Sequence, residues 1–326
     1  MPAGSEPARA DASLSKTGVP RAVGSLRLDN LPMSPRHLAL LALGVAAVSC
    51  SSILIRLAEA PALSVAFYRN AMAAVVLVPL ALRGHRAEIR SLSRRQWGIA
   101  ALSGVLLAVH FALWIPSLSY TSVAASTVLV TTQPVWVALI GRGFGETVSR
   151  RTLVGIGLSL AGAIVISGGD FGLSRRAAFG DALALLGAVA AAGYFLSGRN
   201  LRVRLSLLTY VGIVYSTCAL LLAGAMAVSG TPFAGFEPKV WLLFALMALV
   251  PQILGHTVFN YLLADVRATV IAIAVTGEPI GSTLLALAFF GEVPRWTAFA
   301  GGALILAGIY VTVAAQTGRQ RVTPLE

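Results

Sequence analysis

Residues 268–290 read ATVIAIAVTGEPIGSTLLALAFF, a run in which Glu278 is the sole ionisable side chain. The hydrocarbon core of a bilayer is about 30 Å thick and an α-helix rises about 1.5 Å per residue, so about 20 apolar residues cross it. The run is long enough, and it carries Thr276-Gly277-Glu278-Pro279 near its middle. A second run, TSVAASTVLVTTQPVWVALIG over 121–141, carries Thr131-Thr132-Gln133-Pro134 at the corresponding place, 145 residues earlier. Two span-length runs with the same internal proline, one in each half of the chain, point to a helical membrane protein built by repetition.

Eight further runs have the length of a span: 37–57, 62–82, 97–118, 152–168, 181–199, 206–228, 240–262 and 296–316. None alternates with a period of two, as an outer-membrane barrel strand does. The expected fold is therefore an all-α integral membrane protein with ten transmembrane helices. Composition agrees. Of the 326 residues 57% are hydrophobic and 12% charged, and mean hydropathy is +0.81. A soluble globular chain carries about 25% charged residues. So much apolar content excludes a disordered chain, and two cysteines exclude a disulfide scaffold. Residues 1–36 have no apolar face and read as a disordered tail; 317–326 read as a short polar tail. The first apolar run starts too far in to be a signal peptide.

The net charge of +12 in a soluble protein would raise nucleic acid as a partner. Here the excess reports topology instead. Ten spans place both termini on one side. The segments on that side hold 19 of the 25 Lys and Arg, and those on the other side hold 5. Basic residues accumulate on the cytoplasmic side, which predicts cytoplasmic termini in a cell (inner or plasma) membrane. The remaining basic residue, Arg69, falls within a span, and Arg69 and Glu278 formally cancel there. The expected partners are the lipid bilayer and a small-molecule substrate, with no nucleic acid; a homodimer stays open.

The repetition extends beyond the prolines. Glu146, Gly155 and Gly162 have counterparts in Glu292, Gly301 and Gly308, at an offset of 146. Five spans per half is an odd number, so the halves cross the bilayer in opposite senses. This inverted-topology repeat is common in secondary transporters, whose substrate sites lie near the midplane between the halves. The expected units are 37–168 and 179–316.

These residues resemble the EamA family of the drug/metabolite transporter superfamily, as two tandem units over about 37–316. The resemblance rests on Thr121-Ser122 through Ala124-Ala125-Ser126 leading to Pro134, and on Arg267-Ala268-Thr269 leading to Glu278-Pro279. It rests also on Gly145-Glu146 and Gly291-Glu292 before glycine-rich spans, and on Phe67-Tyr68-Arg69. The first half departs from the second in having Gln133 where the second has Glu278. The resemblance implies transport of small metabolites across the inner membrane, often export of amino acids or related compounds.

An ionisable group inside a span is costly and is a functional hypothesis by default. Glu278 would bind a substrate amine, carry a coupling proton, or serve as a structural acid at a helix kink. Arg69 would bind a substrate carboxylate, pair with Glu278, or snorkel outward. His110 and His256 fall at near-equivalent places in the two halves. Asn260 lies one turn after His256, and Trp114 shares a helix face with His110; Trp114 would line a cavity or sit in the interfacial belt. Gln133, Pro134 and Pro279 are kink candidates. Gly155, Gly162, Gly301 and Gly308 are candidates for close helix packing. Cys50 and Cys218 fall within spans. No metal-ligand spacing, phosphate loop or cofactor motif occurs, so a cofactor and an enzyme activity are not expected. A secondary carrier is favoured over an intramembrane lipid-acting enzyme and over a channel or sensor without alternating access.

Overall fold

A computed structural model describes residues 33–121, 123–143, 148–167, 174–291, 293 and 296–317. Glu146, Glu292 and most of the two tails lie outside the described residues. The described residues form fourteen α-helices and a π-helical segment, with no strand among them. In chain order these are α1 (Pro35–Ala58), α2 (Ala62–Gly84), α3 (Arg86–Ser91), α4 (Arg94–Ser117), α5 (Val123–Val130), α6 (Gln133–Gly143) and α7 (Arg150–Ser167). The second half continues with α8 (Arg175–Arg202), α9 (Leu207–Ser229), α10 (Pro238–Met247), the π segment (Ala248–Thr257), α11 (Val258–Leu262), α12 (Ala268–Val275), α13 (Glu278–Phe290) and α14 (Trp296–Thr317). Among the described residues seven stretches are long and apolar enough to cross a membrane, and a shorter apolar helix covers Phe299–Ala315.

Local chemistry sets the helix starts. At α1 the Ser34 hydroxyl accepts the His37 N–H at 3.3 Å, and the His37 ring accepts the Ser34 N–H at 3.4 Å, with Pro35 opening the helix. The same reciprocal cap joins Ser93 and Gln96 at α4. Such a cap satisfies two backbone donors that the first helical turn leaves orphaned. These caps move boundaries relative to the sequence. The helix begins at Pro35, inside the tail expected over 1–36. Ser174 caps α8, so that it begins at Arg175 rather than 181.

Three expected helices are not continuous. The run over 121–141 breaks at Thr131-Thr132 into α5 and α6, and the run over 268–290 breaks at Thr276-Gly277 into α12 and α13. Pro134 and Pro279 each sit second in the helix that follows the break, where the missing N–H costs nothing. The run over 240–262 contains the π segment around Pro251.

Backbone geometry repeats at the 145-residue offset. The shift carries α2 onto α9, α5 onto α12, and Gln133 onto Glu278. It also carries bond onto bond: Thr132 N–H to Leu129 O and Val135 N–H to Thr132 O recur as Gly277 N–H to Ala274 O and Ile280 N–H to Gly277 O. Packing partners exchange in the same way. Helix α4 lies along α8 as the 238–262 stretch lies along α1, while α2 packs on its own counterpart α9 and α7 packs along α14. The α7–α14 seam is tight. A Cβ at Gly155 would sit 2.8 Å from Gly308 O, and one at Gly162 would sit 2.4 Å from Gly301 O.

One half-buried connection ties the halves together at the edge of the spans. Glu88 of α3 accepts the Ser206 N–H at 2.7 Å and the Thr209 hydroxyl at 2.6 Å, at the start of α9. Partial burial pushes its carboxyl up, but these hydrogen bonds and nearby His85 outweigh burial and hold it below the ordinary glutamate value of 4.5. A depressed carboxylate stabilises the fold above the unfolded-state value, and that stability is lost as pH falls through the folded value. The thermal midpoint gap between the wild type and Glu88→Gln is therefore expected to be full above pH 5 and to close progressively below the ordinary value. A gap independent of pH in thermal scans would refute this role.

Candidate functional site

The breaks and the π segment bring the chemistry together. One cavity, with about 530 Å³ of space including its opening, has Arg69, His110, Trp114, Gln133, His256 and Glu278 on its wall. Ser51, Thr131, Tyr194 and several apolar side chains complete the lining. The wall draws on both halves of the chain. Asn260 does not line the cavity. Its amide donates to His256 O at 2.8 Å and to the Tyr194 and Tyr215 hydroxyls, just behind the wall.

Arg69 is 1% exposed. Its Nε donates to Gln252 Oε1 at 2.9 Å and one Nη donates to Ser51 Oγ at 3.1 Å. The guanidinium carbon stands 4.3 Å from the Phe111 ring centroid. Gln252 in turn donates to Asn70 Oδ1 at 3.1 Å, and Asn70 donates to Ala66 O. Every group in this chain of contacts is neutral except the arginine itself. Among the described residues no ion pair joins Arg69 to Glu278 or to any other carboxylate, so the direct pairing considered from sequence is absent. The second Nη of Arg69 has no partner among the described residues. A guanidinium offers five N–H donors, and burying one unused is expensive.

Glu278 opens α13, at the positive end of that half-helix, where a carboxylate is favoured. Among the described residues nothing hydrogen-bonds to its carboxyl group. Ser49 donates only to its backbone oxygen, at 3.3 Å. Its counterpart Gln133 opens α6. The breaks thus aim two helix starts at one region, as discontinuous helices in transporters do.

The imidazole Nδ1 of His110 is 2.9 Å from Gly187 O and donates to it in the tautomer that this contact selects. His110 stacks on Trp114 with centroids 5.8 Å apart, which places Trp114 in the core rather than in an interfacial belt. Among the described residues Trp114 Nε1 and His256 Nδ1 lack partners. Two N–H donors, on Arg69 and Trp114, are therefore left for an acceptor-bearing ligand, while His256 Nδ1 donates or accepts according to its tautomer.

Sequence reading missed Gln252, Asn70, Ser51 and Tyr194. Gln252 had a signal, since it is an uncharged polar residue after Pro251 inside a span. The other three are ordinary residues of spans, and only packing makes them partners of the site. Among the described residues no cluster of metal-ligating side chains exists.

Comparison with known proteins bears on this arrangement. The model of the EamA-like transporter family matches residues 36–168 and again 178–314. The chain belongs to the EamA-like transporter family. Two relatives from Archaeoglobus fulgidus, each described as an uncharacterized transporter, agree with this. One is 28% identical over 272 residues, covering 81% of this chain and 92% of its own, and the other is 24% identical over 267 residues, covering 80% and 90%. A solved crystal structure superposes with a TM-score of 0.72 at 18% identity, over 86% of this chain and 98% of its own, which speaks to the fold alone. An EamA-type chain with these apolar helices is a multi-pass membrane transporter.

Proposed function

We propose that the protein is a secondary transporter that moves a small metabolite bearing both a carboxylate and an amine, of the amino-acid type, by alternating access. The observation that carries this is a buried arginine with an unpartnered Nη and no ion pair among the described residues, and the Glu278 carboxyl with no hydrogen bond among them, on the wall of one cavity. A zwitterion satisfies both at once: its carboxylate takes the free Nη of Arg69, and its amine takes Glu278. The apolar and aromatic lining accommodates the rest of the ligand.

The repeated bond pattern and the exchange of packing partners support ten spans arranged as two inverted five-helix halves. The halves would rock about the cavity to expose it to each side in turn. The charge distribution supports an inner or plasma membrane location with both termini cytoplasmic, and export as the direction is taken from the family resemblance alone. The expected routine is to compare metabolites inside and outside cells that lack or overproduce the protein, and then to reconstitute it with the compound that responds. Failure of every zwitterion to respond would refute the substrate class.

Glu278 would also carry the coupling proton. Glu278→Gln keeps the side chain's size and removes its capacity to titrate. Gradient-driven uptake into proteoliposomes is expected to be abolished while substrate exchange persists at weakened affinity, since glutamine still accepts from the amine but carries no charge. Full gradient-driven uptake in that variant would remove the coupling role.

A further inference from the structure

The repeat is nearly exact at two turns and is broken by two arginines. Residues 118–121 and 263–266 are the matching turns between α4 and α5 and between α11 and α12. Tyr120 N–H to Ser117 O and Thr121 N–H to Ser117 O recur 145 residues on as Asp265 N–H to Leu262 O and Val266 N–H to Leu262 O. Both turns touch α8, one at each of its ends.

At the first end the hold is light and partly exposed. Thr121 Oγ1 donates to Asp181 at 2.7 Å, Arg176 donates to Ser119 O at 3.0 Å, and Tyr120 meets Phe179 edge-on. At the second end Arg199 donates from one Nη towards three carbonyls, Leu263 O at 2.9 Å, Val266 O at 3.1 Å and Ala264 O at 3.4 Å. Arg202, itself buried, donates Nε to Asn260 O at 2.9 Å and Nη1 to Leu205 O. All but the Leu205 carbonyl belong to the C-terminal end of α11 and the turn after it, where orphan C=O groups gather and a cation is favoured. The same 145-residue shift places Leu54 and Leu57 of α1 at the positions of Arg199 and Arg202. The half-to-half symmetry thus fails at the residues that grip one of two otherwise equivalent turns. Phe195 and Phe259 line the cavity, and Leu201 and Leu263 beside the two arginines in sequence and contact are buried.

We propose that Arg199 and Arg202 are a gate clamp: they hold the face of the bundle bearing the 263–266 turn shut, and its release lets the cavity open to that face. This rests on the alternating-access function proposed above, in which the two turns must part in alternation. Arg199 and Arg202 act on the path and touch no ligand, so they are positioning residues.

The test needs no knowledge of the substrate. In a background with Cys50→Ser and Cys218→Ser, Ala191→Cys on the cavity wall reports access to a membrane-impermeant cationic methanethiosulfonate reagent added to right-side-out or inside-out vesicles. Arg199→Ala with Arg202→Ala is expected to raise labelling from the clamped face at least tenfold and to lower it from the opposite face. Arg199→Lys, which keeps the charge but loses the fork, is expected to fall between. Rates unchanged from both faces, or raised equally from both by general loosening, would overturn the clamp. If the double variant elutes as an aggregate, Arg199→Gln alone carries the same comparison. The clamp and the transport reading fail separately. The clamp fails on the labelling rates alone, whereas the transport reading fails if the wild type moves no zwitterion in proteoliposomes, whatever the labelling shows.

Discussion

Arg69→Lys is expected to lower the initial rate of zwitterion uptake on the order of a hundredfold while leaving the amount of folded protein nearly unchanged. Arginine holds Gln252 with Nε, Ser51 with one Nη, and has the other Nη left for a ligand. A lysine ammonium is a single point and cannot serve three directions from a fixed fork. Hydrogen bonds to a charged group contribute about 1.5–3 kcal/mol each, and about 1.4 kcal/mol is a factor of ten. The companion variant is Gln252→Glu. It would set a carboxylate against Nε and convert the neutral buttress into an internal ion pair that competes with the substrate. Its expected result is an apparent affinity at least tenfold weaker, with the thermal midpoint in detergent held or raised. Uptake at wild-type affinity in Gln252→Glu would show that Arg69 does not bind the anion.

The second large effect is on stability. Gly162→Ala is expected to destabilise the protein by about 1–3 kcal/mol, the usual cost of overpacking. The added carbon would meet Gly301 O at 2.4 Å and Ile305 N at 2.8 Å. Both are backbone atoms, so no rotamer change relieves the contact and α7 must move away from α14. Gly157 lies five residues earlier on α7, and a carbon there meets nothing within 4 Å. Gly157→Ala should instead be neutral or stabilising by up to about 1 kcal/mol, because alanine is the better helix former. Equal thermal midpoints for the two variants would show that the seam does not need a bare backbone.

Much of this was legible in the chain. Span length follows from the bilayer's thickness, so Leu, Val, Ala and Ile in runs of about 20 residues announce membrane helices without any tertiary information. Pro134 and Pro279 marked the broken helices, because proline cannot donate the bond that would continue the preceding turn. Arg69 and Glu278 stood out because charge is rare in such runs. The relation between them did not stand out. Opposite charges suggest a pair, and the structure instead places Gln252 and Ser51 on the arginine. Gln252 reaches it from a π segment, whose extra residue per turn shifts the side-chain phase in a way no regular helical count anticipates.

The sequence by itself determined the elements: which stretches are apolar enough to leave water, where proline and its neighbours stop them, and that the second half restates the first. Those are local properties, set by hydration and by backbone donors within a few residues. Packing settled which polar groups meet. The neutral partners of Arg69, the unpartnered carboxyl of Glu278 and the grip of Arg199 and Arg202 on the 260–266 backbone all join residues far apart in the chain. Their geometry depends on packed helices approaching to within hydrogen-bond distance, which composition and periodicity do not encode.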